Sequence, residues 1–372
     1  MKILIVGGAG VTGSVIVQQL LKEGCEVTVL GRGQRALPFT QGPFADNVKT
    51  LVADPYAKDN IAPVVEGKHF DAAIVTYGRL RYVAQALVGH TTRLISVGGA
   101  APIYKGWGDM MAPNPWETTS PTPLFLAEDH PLASASTEDR FSLAVRKTES
   151  DVMALHQQGL LNVTHFRYPL VYGPNNICPA EWGIIRRARE GRKKMILPNG
   201  GATLVSRGFA ENIAHGVLLA LKNPSASAGQ IYNICDVETL HNYEWVEKLS
   251  VLLNHPFEFI DIPFSLLPSG FRATPPQLLY RHHCVLSVNK LQQQLGYRDV
   301  VSVDEALQRT VAYYQNNPLP AGDIAEQNLG DPFDYAYEDT LIALWQHHRD
   351  DFMEKVKNLS APKVIWKHPY AG

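Results

Sequence analysis

A buried strand, a glycine turn and a helix start open this chain, and no other feature restricts its fold so tightly. Lys2-Ile3-Leu4-Ile5-Val6-Gly7 reads as a strand, Gly8-Ala9-Gly10-Val11-Thr12-Gly13 follows, and Val15, Ile16, Leu20 and Leu21 recur at helical spacing. Gly7 and Gly10 carry no side chain, so bare backbone N–H groups can approach a pyrophosphate. Gly13 lets the helix pack close to the strand, and the helix N-terminus at Val11 and Thr12 adds partial positive charge. Glu26-Val27-Thr28-Val29-Leu30 then closes a βαβ unit, the context that gives a glycine triplet meaning.

The residues after the second strand discriminate between dinucleotides. A carboxylate there would hold an adenosine ribose 2′-OH, whereas an arginine would pair with a 2′-phosphate. The chain reads Leu30-Gly31-Arg32-Gly33-Gln34-Arg35, with no acid and two arginines, so NADP(H) is favoured over NAD(H). Arg32 and Arg35 are the residues expected to make that contact.

Composition excludes several classes. The chain has 372 residues, 45% of them hydrophobic, and a formal net charge of −2, which gives no electrostatic footprint for nucleic acid or an anionic membrane. The first strand follows Met1 directly, and no apolar run approaches a membrane span, so a cytoplasmic protein is expected. Cys25, Cys178, Cys235 and Cys284 lack metal-ligand spacing, as do His282-His283-Cys284 and His347-His348, and no metal site is expected. The partner implied is a small-molecule substrate; a homodimer is left open.

Further strands are expected at Lys49–Asp54, Phe70–Thr76, Arg93–Gly99 and Asn162–Arg167, with helical stretches between them. Strands alternating with helices imply an α/β fold: a Rossmann-type doubly wound parallel sheet with a smaller C-terminal substrate domain. The division expected is a dinucleotide-binding domain at 1–175, a mainly substrate-side domain at 176–317, and a helical tail at 318–372. Within the first, 107–135 is rich in Pro, Thr, Ser, Trp and Met and reads as a lid or substrate wall. Tyr77 and Tyr104 follow the fourth and fifth strands, at the carboxyl ends where ligands bind in open α/β sheets, and each is a candidate proton donor.

Gly7-x-x-Gly10-x-x-Gly13, Asp54, the strand through Ser96, the run Arg167-Tyr168-Pro169-Leu170-Val171-Tyr172-Gly173-Pro174 and Leu295-Gly296-Tyr297 together resemble the extended short-chain dehydrogenase/reductase superfamily, often labelled NAD-dependent epimerase/dehydratase. The layout is most similar to the atypical branch that includes chloroplast stem-loop RNA-binding proteins. The resemblance implies that Asp54 meets the adenine amino group, that Tyr77, Tyr168, Pro169 and Val171 contact the cofactor, and that Tyr172 shapes the nicotinamide side of the pocket. It also implies a Tyr-x-x-x-Lys pair on the helix after the fifth strand and a serine on that strand. Lys147 fits the lysine and would hold the nicotinamide ribose. Leu143 stands in the tyrosine's place, Gly98 in the serine's, and Ser96 remains as a displaced candidate. Arg207 falls where relatives place an arginine toward a substrate anion, with a structural salt bridge the alternative.

The function expected is that of an NADP(H)-dependent reductase or dehydrogenase of the atypical kind, with a non-standard proton donor and a small, largely apolar carbonyl, alcohol or conjugated substrate. A sugar-nucleotide epimerase or dehydratase is one alternative. A catalytically degenerate NADP(H) sensor or RNA-binding relative is the other.

Overall fold

Ile3 and Ile5 face one side of the first strand and Leu4 and Val6 the other, and all four are fully buried, so this strand lies at the centre of a sheet covered on both faces. The structure, a computed structural model, describes residues 1–35, 43–76, 78–99, 103–106, 122–134, 140–268, 271 and 276–360. In chain order the elements are β1 (Lys2–Val6), α1 (Val11–Lys22), β2 (Glu26–Gly31), β3 (Val48–Val52), α2 (Ala62–Val65), β4 (Ala72–Val75), α3 (Leu80–Ala86), β5 (Arg93–Gly99), α4 (Arg140–Gln157), β6 (Asn162–Tyr168), β7 (Leu170–Tyr172) and α5 (Ala180–Arg189). They continue as β8 (Lys194–Ile196), β9 (Arg207–Phe209), α6 (Ala210–Lys222), β10 (Gln230–Asn233), α7 (Asn242–Leu252), β11 (Glu258–Ile260), α8 (Asn289–Leu295), α9 (Val303–Asn316), α10 (Ile324–Gln327) and α11 (Tyr335–Lys357).

Seven parallel strands form the main sheet in the order β10-β6-β5-β4-β1-β2-β3. This is the doubly wound arrangement expected from the sequence. The order reverses at β1, between β2 and β4, and the crevice above their carboxyl ends is where such sheets bind ligands. One face is covered by Ile16, Val17 and Leu20 of α1 and Ile213 and Val217 of α6. The other is covered by Val83 and Ala84 of α3 and Val152 and Leu155 of α4. Each such fully buried Ile, Leu or Val contributes about 1.5–3 kcal/mol.

The stretch 176–317 gives α6 and β10 back to the main sheet, builds the short parallel pair β11 with β8, and supplies β9 to pair in parallel with β7. Its helices carry their own start and stop signals. Ser302 accepts from the Glu305 N–H at the head of α9, and Gly296, at φ 69°, ends α8 in the left-handed region. Contacts onto α5 carry the first compact unit past Pro318 as far as Asp331: Trp182 Nε1 donates to Glu326, and Arg187 pairs with Asp331 at 2.6 Å. A second unit starts at Pro332 and contains α11, whose first turn is capped by Asp334 accepting from the Tyr337 N–H.

Candidate functional site

The turn after β1 is built almost wholly from backbone. Gly7, at φ 96°, donates its N–H to Leu30 O, and Gly10 N–H donates back to Gly7 O at 2.9 Å. A Cβ at Gly13 would lie 2.1 Å from Gly7 O, and one at Gly8 would lie 2.8 Å from Val29, so neither position admits a side chain without the turn shifting. Gly10 provides no side-chain cap to α1, leaving the first-turn N–H groups of Val11, Thr12 and Gly13 directed outward over the crevice. This cradle fits the pyrophosphate of a dinucleotide. Beyond it Gly31 ends β2 with no carboxylate, and Arg32 and Arg35 are exposed.

The other residues expected around the cofactor distribute unevenly. Thr12 and the partly buried Tyr168 come together; burial of its hydroxyl pushes the Tyr168 phenol far above its ordinary range, against a smaller lowering by the Thr12 hydroxyl. Pro169 and Val171 are partly buried, on the connection into β7. Asp54 forms a local turn, its Oδ1 accepting from the Tyr56 N–H at 3.0 Å. Tyr77 lies outside the described residues, as do 107–121 and 135 of the expected lid.

Helix α4 requires a correction. Ser142, Glu149, Val152 and Leu155 are its buried positions, and Val145 packs beside Tyr104 and Leu126. Lys147 is two residues from Glu149, a rotation of about 200° around the helix. It points away from the sheet, its side chain 63% exposed and paired with Asp151 one turn on at 2.9 Å. Lys147 thus stands on the exposed face of α4 and not on the face that carries Glu149 toward the sheet. One and two turns before Glu149 stand the half-buried Val145 and the exposed Phe141, so the Tyr-x-x-x-Lys spacing in that register holds neither a phenol nor an ammonium.

Ser96 and Tyr104 also move from candidate acids to interior supports. Ser96 is fully buried and shares a 2.7 Å hydrogen bond with His165 Nδ1. His165 Nε2 lies 3.5 Å from Glu149, and burial lowers the imidazole to about 4, against the raising effect of that carboxylate. Glu149 accepts two hydrogen bonds from Arg167, at 2.7 and 2.8 Å. Arg167 donates onward to the Tyr104 hydroxyl, which donates to Asn233 Oδ1 at 2.6 Å. Burial raises the Tyr104 phenol to about 12, against the lowering by Arg167 and Asn233. Its proton is held inside the protein. A Cβ at Gly98 would meet His165 Nε2 at 2.9 Å, so the serine of the usual site has no room there.

The sequence reading missed Glu149, His165 and Arg167 as a unit. The available signal was polar residues at alternate, core-facing positions of β6, with an acid on the matching face of α4. Among the described residues Arg207 forms no salt bridge: it is buried, stacked over Trp245 at 4.3 Å, and donates to Asn242. Among the described residues no three His, Cys, Asp or Glu side chains converge as a metal site, and no helix is long and apolar enough to cross a membrane.

The model of the NAD dependent epimerase/dehydratase family matches residues 3–89 and 119–235. Bovine (Bos taurus) sterol-4-alpha-carboxylate 3-dehydrogenase, decarboxylating, is 22% identical over 84% of this chain and 92% of its own length. The 2-alkyl-3-oxoalkanoate reductase of Stenotrophomonas maltophilia is 26% identical over 84% of this chain and 99% of that protein. The match to the Escherichia coli uncharacterized protein YbjS, also 26% identical, covers 33% of this chain and 42% of that protein. Among solved structures, UDP-glucose 4-epimerase of Thermotoga maritima with UDP-glucose superposes with a TM-score of 0.68 at 15% identity, covering 85% of this chain and 99% of that one.

Proposed function

This chain belongs to the NAD dependent epimerase/dehydratase family, and from that premise we propose that it is an NADP(H)-dependent oxidoreductase of a small, largely apolar carbonyl or alcohol compound. The observation that carries the reading is the cradle over the β1/β4 switch point, closed to side chains at Gly8 and Gly13 and flanked by Arg32 and Arg35 where a ribose-binding acid would stand. A bound nicotinamide supplies or accepts hydride there. The first-turn N–H groups of α1 hold the pyrophosphate, and Arg32 and Arg35 pair with the 2′-phosphate.

The apolar character rests on the surroundings of α4. Leu124 and Phe125 are exposed just before Leu126, and exposed Phe141 lies one turn before Val145, so apolar side chains border the cluster containing Ile103 and Tyr104. The names of two relatives, a sterol-carboxylate dehydrogenase and an alkyl-oxoalkanoate reductase, point to the same class. A sugar-nucleotide substrate, as in the epimerase structure, draws support from the fold and from the name of a third relative, a UDP-N-acetyl-alpha-D-glucosaminuronate decarboxylase of Bacillus cytotoxicus that is 21% identical over 84% of this chain.

Phe141 and Val145 favour one second reading, NADP(H) binding without turnover. Titration with NADPH and NADH, followed by NADPH consumption across a panel of alkyl ketones and β-keto compounds, tests both. Tighter NADPH binding that narrows in the Arg32→Ala/Arg35→Ala variant is the expected result; equal affinities overturn the cofactor assignment. Tight binding with no consumption on any ketone transfers the conclusion to the second reading.

A further inference from the structure

Helix α5 carries three arginines, and two of them are fully engaged. Arg187 is completely buried; it pairs with the buried carboxylate of Asp331 at 2.6 Å and donates to Gly183 O. Arg186 is shared between two acids, Glu190 at 3.0 Å and Glu326 at 2.7 Å. Arg189 is exposed and, among the described residues, has neither an acid nor a neutral acceptor for its fork. Trp182, Arg186 and Arg189 are spaced by four and three residues, so they lie along one face of the helix.

That face borders a cavity of about 440 Å³, a volume within the range of small-molecule sites. The opposite wall is the segment 318–326, which contributes Pro318, Leu319, Ala321 and Glu326. Glu326 fixes this wall to the helix. Its Oε2 accepts from Trp182 Nε1 at 2.8 Å, and its Oε1 takes the Gly322 N–H at 3.0 Å together with Arg186. Burial works to raise the Glu326 carboxyl, yet those donors together hold it below its ordinary value, so it is ionised and already satisfied. Asp323 caps α10 by accepting from the Ala325 N–H, and the Arg187–Asp331 pair anchors the chain beyond. The cavity is therefore preformed, with walls held by buried contacts and one unpaired cation on its rim.

We propose that this cavity binds an organic monocarboxylate, its acid group on Arg189 and its apolar body against Trp182, Leu319 and Ala321. The charges of the lining select that class. Glu190 and Glu326 are both occupied by Arg186, so a cationic ligand finds no free acid. Arg189 supplies one positive charge and a planar fork, which match the two oxygens of a carboxylate and fall one charge short of a phosphate dianion. The one polar group of Trp182 is taken by Glu326, so its indole offers only carbon to a ligand. An exposed ion pair contributes little by itself, and the apolar body supplies most of the affinity. Neither the glycine cradle nor Arg207 contributes a residue to this cavity, so its occupancy is independent of the NADP(H) reading.

The experiment follows the melting midpoint of the full chain at matched ionic strength as three probes of one shape are titrated: 3-phenylpropionate, 3-phenylpropanol and 3-phenylpropylamine, with acetate as the acid group alone. Saturating 3-phenylpropionate is expected to raise the midpoint by about 2 °C, and to bind about fivefold more tightly than the alcohol or the amine. Acetate should leave the midpoint where chloride leaves it. Arg189 has no partner and Ala321 is exposed, so Arg189→Ala and Ala321→Phe should melt with the parent chain in chloride. Arg189→Ala should lose the fivefold preference for the acid while still binding the alcohol, and Ala321→Phe, which fills the cavity, should weaken every probe by about tenfold or more. No shift with 3-phenylpropionate, an alcohol or amine that binds as tightly as the acid, or undiminished affinity in either variant overturns the proposal.

Discussion

The turn after β1 and the inward face of α4 meet the same crevice but are made of different material. The turn is backbone: its geometry depends on side chains being absent from Gly8 and Gly13, and any addition collides with Val29 or Gly7. The α4 face consists of side chains on a regular helix, where Phe141, Val145 and Glu149 fit as readily as a tyrosine and a lysine would. A family can therefore change its chemistry on the helix while its cradle stays fixed. The binding half of such a site is conservative for steric reasons, and the reacting half is free to change.

The largest expected effect tests whether the helix face is held by its own ion pair. Glu149→Ala strands Arg167 in the interior and should cost about 3–5 kcal/mol, read as a fall in the urea midpoint. A loss under about 1 kcal/mol would mean the pair behaves as a surface contact. Gly13→Ala probes the other side. It should cost about 1–3 kcal/mol and weaken NADPH binding by about tenfold or more, because the new methyl displaces Gly7 O. Unchanged NADPH affinity in a folded variant would remove the cradle from the binding site.

The third prediction concerns pH. Burial raises both Glu181 and Asp236 to about 7 in the folded chain, whereas unfolded carboxyls titrate near about 4. The folded state retains protons that the unfolded state has released, so this stabilisation is complete below about pH 4 and is lost as pH rises through about 7. His165, lowered to about 4 when folded, opposes this only below about 6.5, where the unfolded imidazole gains its proton. Between about pH 6.5 and 7.5 the raised acids outweigh the fading opposition of His165 and His215, and stability should fall with rising pH. The slope should flatten in Glu181→Gln/Asp236→Asn. A flat wild-type profile across that window would contradict the burial of these acids.

The smallest effect is the sharpest discriminator of helix register. Lys147→Met should change stability by no more than about 0.5 kcal/mol and leave NADPH affinity unaltered. A tenfold loss of affinity would return Lys147 to the cofactor.

The legibility of the sequence follows the same contrast. The parallel sheet, its glycine turn and most strand positions can be read from it, since apolar runs bounded by glycine have few structural solutions. The four-residue spacing behind the choice of Lys147 fits two registers of α4, and the burial of Ser142, Glu149 and Val152 is what distinguishes the faces. Ser96 and Tyr104 lie near the carboxyl end of the sheet as expected, but whether they face the crevice or the interior depends on His165 and Asn233, partners 69 and 129 residues away. Nothing local to Arg207 shows that it stacks on Trp245 and donates to Asn242; that emerges only when β9 and α7 assemble.

Gly98 carries a historical consequence. A serine there needs the space taken by His165, and a smaller residue at 165 would leave the Ser96 hydroxyl and one side of Glu149 without their neighbour. Regaining a standard serine–tyrosine–lysine site would thus demand coordinated change on β5, β6 and α4, with the first steps damaging the core. The interior behind β5 is locked by packing: a hydroxyl at position 98 and the His165 ring exclude one another, and neither can be exchanged without the other.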